Sequence, residues 1–277
     1  MYGESASPLA MLLPTVIYPL LAAVALGFVI YKLEQKQQPK PVFWLATVLI
    51  WIAWLTAAQG IHTRWQMPPR QALDWLLLAS LLPVLATRLP KHIRMTGFGV
   101  AALLGFALVA QPIITRMSTI DLFTHTIGWL LICGIAISAA ERQKNSFSFP
   151  ISQIVMLTTS AIVIGVASSL SIAQLIGALA AGLGGLWLLN RFIKLSANAM
   201  LSITRSTMAL WLIVMAYAHY YGDVSIYALV LLATPLLICW SDKQDELWWK
   251  AMSKPIAISL IPGLLALWWV WPEQSLY

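Results

Sequence analysis

Apolar stretches of about twenty residues follow one another along nearly the whole chain, and that is the length a helix needs to cross the hydrocarbon core of a bilayer. Ten can be marked, at 8–32, 41–60, 71–87, 95–115, 121–140, 150–170, 172–190, 198–220, 225–241 and 254–272. Lipid offers no hydrogen-bond partner to a backbone amide, so such stretches must satisfy their own backbone as helices. The connections are too short to fold separately. The sequence therefore predicts an all-α fold: residues 1–277 form a single integral membrane domain, a polytopic transmembrane bundle of ten helices. The third and ninth stretches are short, and only a few residues around Ser168–Gln174 separate the sixth from the seventh. A count of nine, or one re-entrant segment, therefore stays open.

Composition excludes the main alternative. Only 10% of the residues are charged and 60% are hydrophobic, with mean hydropathy +0.80, whereas a soluble domain carries roughly 25% charge. The net charge of +7 would suggest nucleic acid in a soluble protein. Here the bilayer is the expected partner, and no nucleic acid is. Cys133 and Cys239 both lie in apolar stretches, where a thiol behaves as a small hydrophobe, so no disulfide and no metal is expected. The first stretch is preceded by Glu4 rather than by a basic region, which reads as a retained helix and not a cleaved signal.

The basic residues alternate. Lys32, Lys36, Lys40, Arg88, Lys91, Arg94, Arg142, Lys144, Arg191, Lys194, Lys243, Lys250 and Lys254 fall in one set of connections, and only Arg64, Arg70 and Arg116 in the other. Cytoplasmic loops carry the excess of Lys and Arg, so both termini are expected outside. A cell membrane crossed many times, with short loops and this bias, suits a bacterial inner membrane. Trp248, Trp249, Trp269 and Trp271 lie near predicted helix ends, where indole rings favour the membrane interface; plain apolar bulk is the competing reading.

An internal echo accompanies the alternation. Ala58-Gln59-Gly60-Ile61-His62-Thr63-Arg64 and Ala110-Gln111-Pro112-Ile113-Ile114-Thr115-Arg116 match at five of seven positions, 52 residues apart. The echo predicts tandem helical hairpins in one orientation, two with three through eight with nine, related by an axis along the membrane normal. The first and tenth helices would then pair with each other.

Chemistry-bearing residues are few. Arg205 lies inside the eighth stretch, and Asn198, Ser202, Arg205 and Ser206 share a face at helical spacing. An ionisable group inside a membrane segment is costly and marks a functional candidate, so Arg205, Ser202 and Asn198 are candidate substrate-binding residues. The competing reading is a stem that snorkels to the basic interface or a structural pair. A second candidate is a polar cluster on the outer side, Asp121, His125, Asp74, His62 and His219, with Asp121 and His125 at i, i+4. The ordinary reading of its acids is helix-end charge favoured by the dipole. No metal site is expected, because no two of these histidines share a loop, and no two histidines are placed to bracket a haem.

Small residues recur every fourth position at Ala161, Gly165 and Ser169, and again at Gly177, Ala181 and Gly185, spacing that lets helices approach closely. Pro83, Pro112, Pro235 and Pro262 are positioned to kink helices. The connection 241–250 is partly amphipathic. No phosphate-binding loop, dinucleotide turn, H-E-x-x-H, nucleophile elbow or Asp-x-x-Asp pair occurs, so no catalytic residue and no cofactor is assigned. The leading functional class is a solute-translocating or channel-like protein. The alternatives are a non-catalytic scaffold with other membrane subunits as partners and, last, a lipid-modifying enzyme using the outer cluster.

Overall fold

Each apolar stretch folds as one helix. The computed structural model describes residues 11–62, 69, 71–142, 148–238, 240 and 248–271. These contain α1 (Leu13–Gln35), α2 (Pro39–Ile61), α3 (Ala72–Ala86), α4 (Lys91–Ile114), α5 (Thr119–Arg142), α6 (Ser148–Ala167), α7 (Leu170–Ile193), α8 (Ala197–Gly222), α9 (Ile226–Leu237) and α10 (Trp248–Val270), with no strand among the described residues. Eight are long and apolar enough to cross a membrane, and α3 and α9 are the shorter ones. This is a multi-pass membrane protein with an all-α helical bundle. α6 and α7 are separate helices of 20 and 24 residues, each long enough to span, broken at Ser168 and Ser169.

Local sequence explains the irregular ends. α1 opens in a π-helical turn, Leu13–Ile17, at Pro14, where the missing N–H frees a carbonyl. α3 starts from a capping box in which the Gln71 amide donates to Asp74 Oδ2 at 3.0 Å. α9 tightens into a 3₁₀ turn, Thr234–Leu237, at Pro235. Pro83, Pro112 and Pro262 lie inside α3, α4 and α10 as expected. Residues 241–247 of the amphipathic connection lie outside the described residues; Trp248–Lys250 begin α10.

α8 is the post of the bundle. Its apolar window is 100% buried, against 22% for α5 and α10, because α2, α3, α4, α5, α6 and α7 all pack on it. A helix enclosed on every side must hide its own polar groups. Ser202, Thr204 and Thr207 do so by donating their hydroxyls back to the carbonyls of Asn198, Leu201 and Ile203.

Neighbour choice corrects two expectations. α1 and α10 are not packed as a pair: α1 lies against α2 and α7, and α10 against α6 and α9. The extensive consecutive pairings are α1–α2, α3–α4 and α6–α7, of which only α6–α7 is an expected hairpin; α2–α3 and α4–α5 pack less closely, and α8 is not paired with α9. The reason is steric. A Cβ on Gly185 of α7 would stand 3.2 Å from Leu20 Cγ of α1, and one on Gly263 of α10 only 2.5 Å from Thr159 of α6. Lipid is as apolar as the helices, so close approach at small residues decides who meets whom. The echo segments end α2 and α4, with Ala58 and Ala110 both buried.

Tryptophans divide by role. Trp44, Trp268, Trp269 and Trp271 are exposed. Trp54 and Trp211 are buried and tie helices by their indole N–H groups, Trp54 to the Leu175 carbonyl at 2.9 Å and Trp211 to Ser160 Oγ at 3.3 Å.

Candidate functional site

Arg205 stands in the third turn of α8 and is 7% exposed. Its Nη2 pairs with Glu141 Oε2 at 2.5 Å, and the other oxygen of the same carboxylate takes Nη1 of Arg94. One carboxylate at the end of α5 thus bridges guanidiniums from α4 and α8. Arg94 is held further by its Nε, which donates to the Leu89 carbonyl at 2.9 Å. Arg205 Nε is buried with no hydrogen-bond partner. Two cations on one anion leave the cluster with a net positive charge, in surroundings where an uncompensated charge is expensive.

More polar atoms line the same stretch of α8. Ser202 is buried, Ser206 Oγ is buried without a partner, and Gln153 of α6 donates to the Thr204 carbonyl at 3.3 Å while its Oε1 has no partner. Ser152 and Ser259 join α6 to α10 at 2.7 Å. Asn198 is exposed and lines a groove of about 720 Å³ together with Glu34, Lys40, Phe43 and Ser196. At the groove's edge the Glu34 carboxylate accepts from the Ser196 amide at 3.2 Å. A third guanidinium at this end, Arg88 in the turn after α3, lies over the Phe43 and Trp44 rings, and burial pushes it down to about 10.

At the opposite end the five polar residues expected together fall into three groups. His62 Nε2 and the buried Asp74 meet at 3.3 Å. Asp121 belongs to the cap of α5, bonded to Ser118 through side chain (2.7 Å) and backbone (3.1 Å). His125 and His219, two members of that expected cluster, come together on facing helices with ring centroids 5.8 Å apart. His125 Nδ1 and the Tyr220 hydroxyl bond at 2.6 Å, Trp129 Nε1 donates to the same hydroxyl at 3.4 Å, and His219 Nδ1 reaches the Val224 carbonyl at 2.8 Å. No three His, Cys, Asp or Glu converge on a metal-sized site among the described residues. Cys133 is buried and free, and Cys239 lies outside the described residues.

Between the two ends α8 is apolar from Met208 to Ala216 and wholly buried. The arrangement is two polar regions on one enclosed helix, separated by an apolar belt that Trp211 spans.

No family model matches the chain, and no curated protein or solved structure matches it either.

Hydropathy singles out Arg205 as a charge within an apolar stretch but does not point to its partner Glu141. With the fifth stretch bounded at residue 140, Glu141 falls in a loop, whereas the structure places it on the last turn of α5. The signal was present: only Glu34, Glu141, Asp242, Asp245 and Glu246 are acidic among the basic connections, and a buried arginine requires one of few such counter-charges.

Proposed function

We propose that the protein translocates a small polar solute along α8, with the basic end of the bundle in the cytoplasm of a bacterial inner membrane. The observation that carries this reading is the polar face of a fully enclosed helix: Asn198 at a groove, then Ser202, then Arg205. A helix serving only as a packing post gains nothing from a charge there, since well-packed apolar residues replace a buried ion pair at no loss of stability. The unpartnered Arg205 Nε, Ser206 Oγ and Gln153 Oε1 each cost about 1–3 kcal/mol if permanently dry. Water or solute entering from the groove removes that cost. The apolar belt Met208–Ala216 then marks the closed barrier of this conformation.

Single cysteines along residues 198–216, in a background lacking Cys133 and Cys239, test the path. Aqueous thiol reagents should modify positions 198, 202 and 206 and spare those from 208 to 216. Uniform protection from 198 onward would overturn the reading.

A further inference from the structure

We propose that Arg94 and Arg205 form an oxyanion site, now filled by the Glu141 carboxylate as a built-in occupant, and that the ligand is a small carboxylate- or phosphate-bearing anion. The inference rests on the translocation reading only for the claim that this anion moves. The site itself stands on geometry.

Glu141 supplies two oxygens to two guanidiniums from different helices, the arrangement in which a free carboxylate or phosphate is recognised. The pair of arginines is over-provided for a structural tie, because one carboxylate neutralises only one of them. Arg205 retains an unfilled Nε–H, and its side chain is 8% exposed. That donor is part of the fork that an anion larger than a carboxylate, or one carrying a third oxygen, engages. Glu141 can leave. It is one residue from the end of α5, and its side chain is 31% exposed, whereas Arg205 is fixed in the middle of the bundle. Displacement by an incoming monoanion conserves the charge on the arginines and returns the glutamate carboxylate to water. Ligand and glutamate therefore compete for one place, and arrival of the ligand loosens a contact between α5 and α8. Arg88, the third guanidinium at this end, also has Nε and Nη1 buried without a hydrogen-bond partner, but it lies over the Phe43 and Trp44 rings, and among the described residues no carboxylate joins it to a second arginine.

The test is thermal unfolding of the purified full-length protein in a neutral detergent. Succinate and inorganic phosphate are titrated against chloride at matched ionic strength, and the arms are repeated in phosphatidylglycerol and phosphatidylcholine nanodiscs. Glu141→Gln keeps the side-chain shape and empties the carboxylate's place. It should lower the midpoint and make it saturably recoverable by succinate or phosphate, with apparent affinity about tenfold or more above wild type, since removing a competing buried charge is worth a decade per 1.4 kcal/mol. Glu141→Gln combined with Arg205→Gln should lose the recovery. If Glu141→Gln does not accumulate in membranes, Glu141→Asp, one methylene shorter, should show the same direction of change. Recovery by soluble anions assigns the site to a solute; recovery only in phosphatidylglycerol assigns it to a lipid headgroup. Equal response to chloride, or no response in either arm, overturns the oxyanion site. An anion response in a protein whose 198–206 positions stay protected from thiol reagents keeps the site and removes translocation.

Discussion

Glu141 serves two arginines, so the three members of the cluster should not be equivalent on removal. Arg205→Gln leaves Arg94 and Glu141 as a neutral pair near the end of the bundle. Glu141→Gln leaves two guanidiniums facing each other with no counter-charge, one of them inside α8. Breaking a buried pair from one side costs about 3–5 kcal/mol, and the glutamate variant belongs at the upper end. In a double-mutant cycle measured by unfolding in detergent without added oxyanion, Arg205→Gln should recover part of the loss caused by Glu141→Gln. Additive costs would mean that the two side chains do not interact. Glu141 also shows where residue-level reading stopped. Apolarity ends before the helix does: α5 carries Glu141 and Arg142 on beyond its apolar stretch, and Glu141 is the partner of the residue the sequence singles out.

At the scale of elements, hydropathy specified the helices and their number, because backbone satisfaction in lipid leaves a long apolar stretch only one form. It did not specify neighbours. α1 and α7 are apolar over most of their surface, so their pairing rests on small residues such as Gly177 and Gly185, whose packing use the sequence suggests without naming the partner. Gly105 of α4 makes the tightest approach to backbone among the glycines of the described residues: a Cβ there would lie 2.8 Å from the Ala79 carbonyl oxygen of α3 and 3.0 Å from Ile213 of α8. Backbone cannot step aside as a side-chain tip does. Gly105→Leu should therefore cost at least about 1–3 kcal/mol by overpacking, seen as a lowered unfolding midpoint and reduced yield. Gly184→Ala, with nothing within 4 Å of the added carbon, should be neutral or stabilising by up to about 1 kcal/mol, as alanine favours a helix over glycine. Equal damage from both would remove the close α3–α4 approach as the explanation.

For the whole molecule the decisive asymmetry is charge. Glu34 meets Ser196 and Arg94 meets Glu141 at one end of the bundle, and Tyr221 meets Val109 and Tyr220 meets His125 at the other, so α1, α4, α5 and α8 alternate in direction as the basic connections require. If those connections face the cytoplasm, the groove beside Asn198 opens to the cytoplasm and the paired histidines face out. Two exposed positions report on this, Lys36 in the turn after α1 and Arg116 after α4. With the native cysteines replaced, Arg116→Cys should react with a membrane-impermeant maleimide on intact cells. Lys36→Cys should react only after the membrane is opened. The reverse pattern would turn the molecule over, and with it the direction from which an oxyanion first meets Arg205. Reaction of both on intact cells would mean that the chain inserts in two orientations. A bias of thirteen basic residues to three between the two sets of connections is far from the near-balance that dual insertion requires, so a single orientation is the expected result.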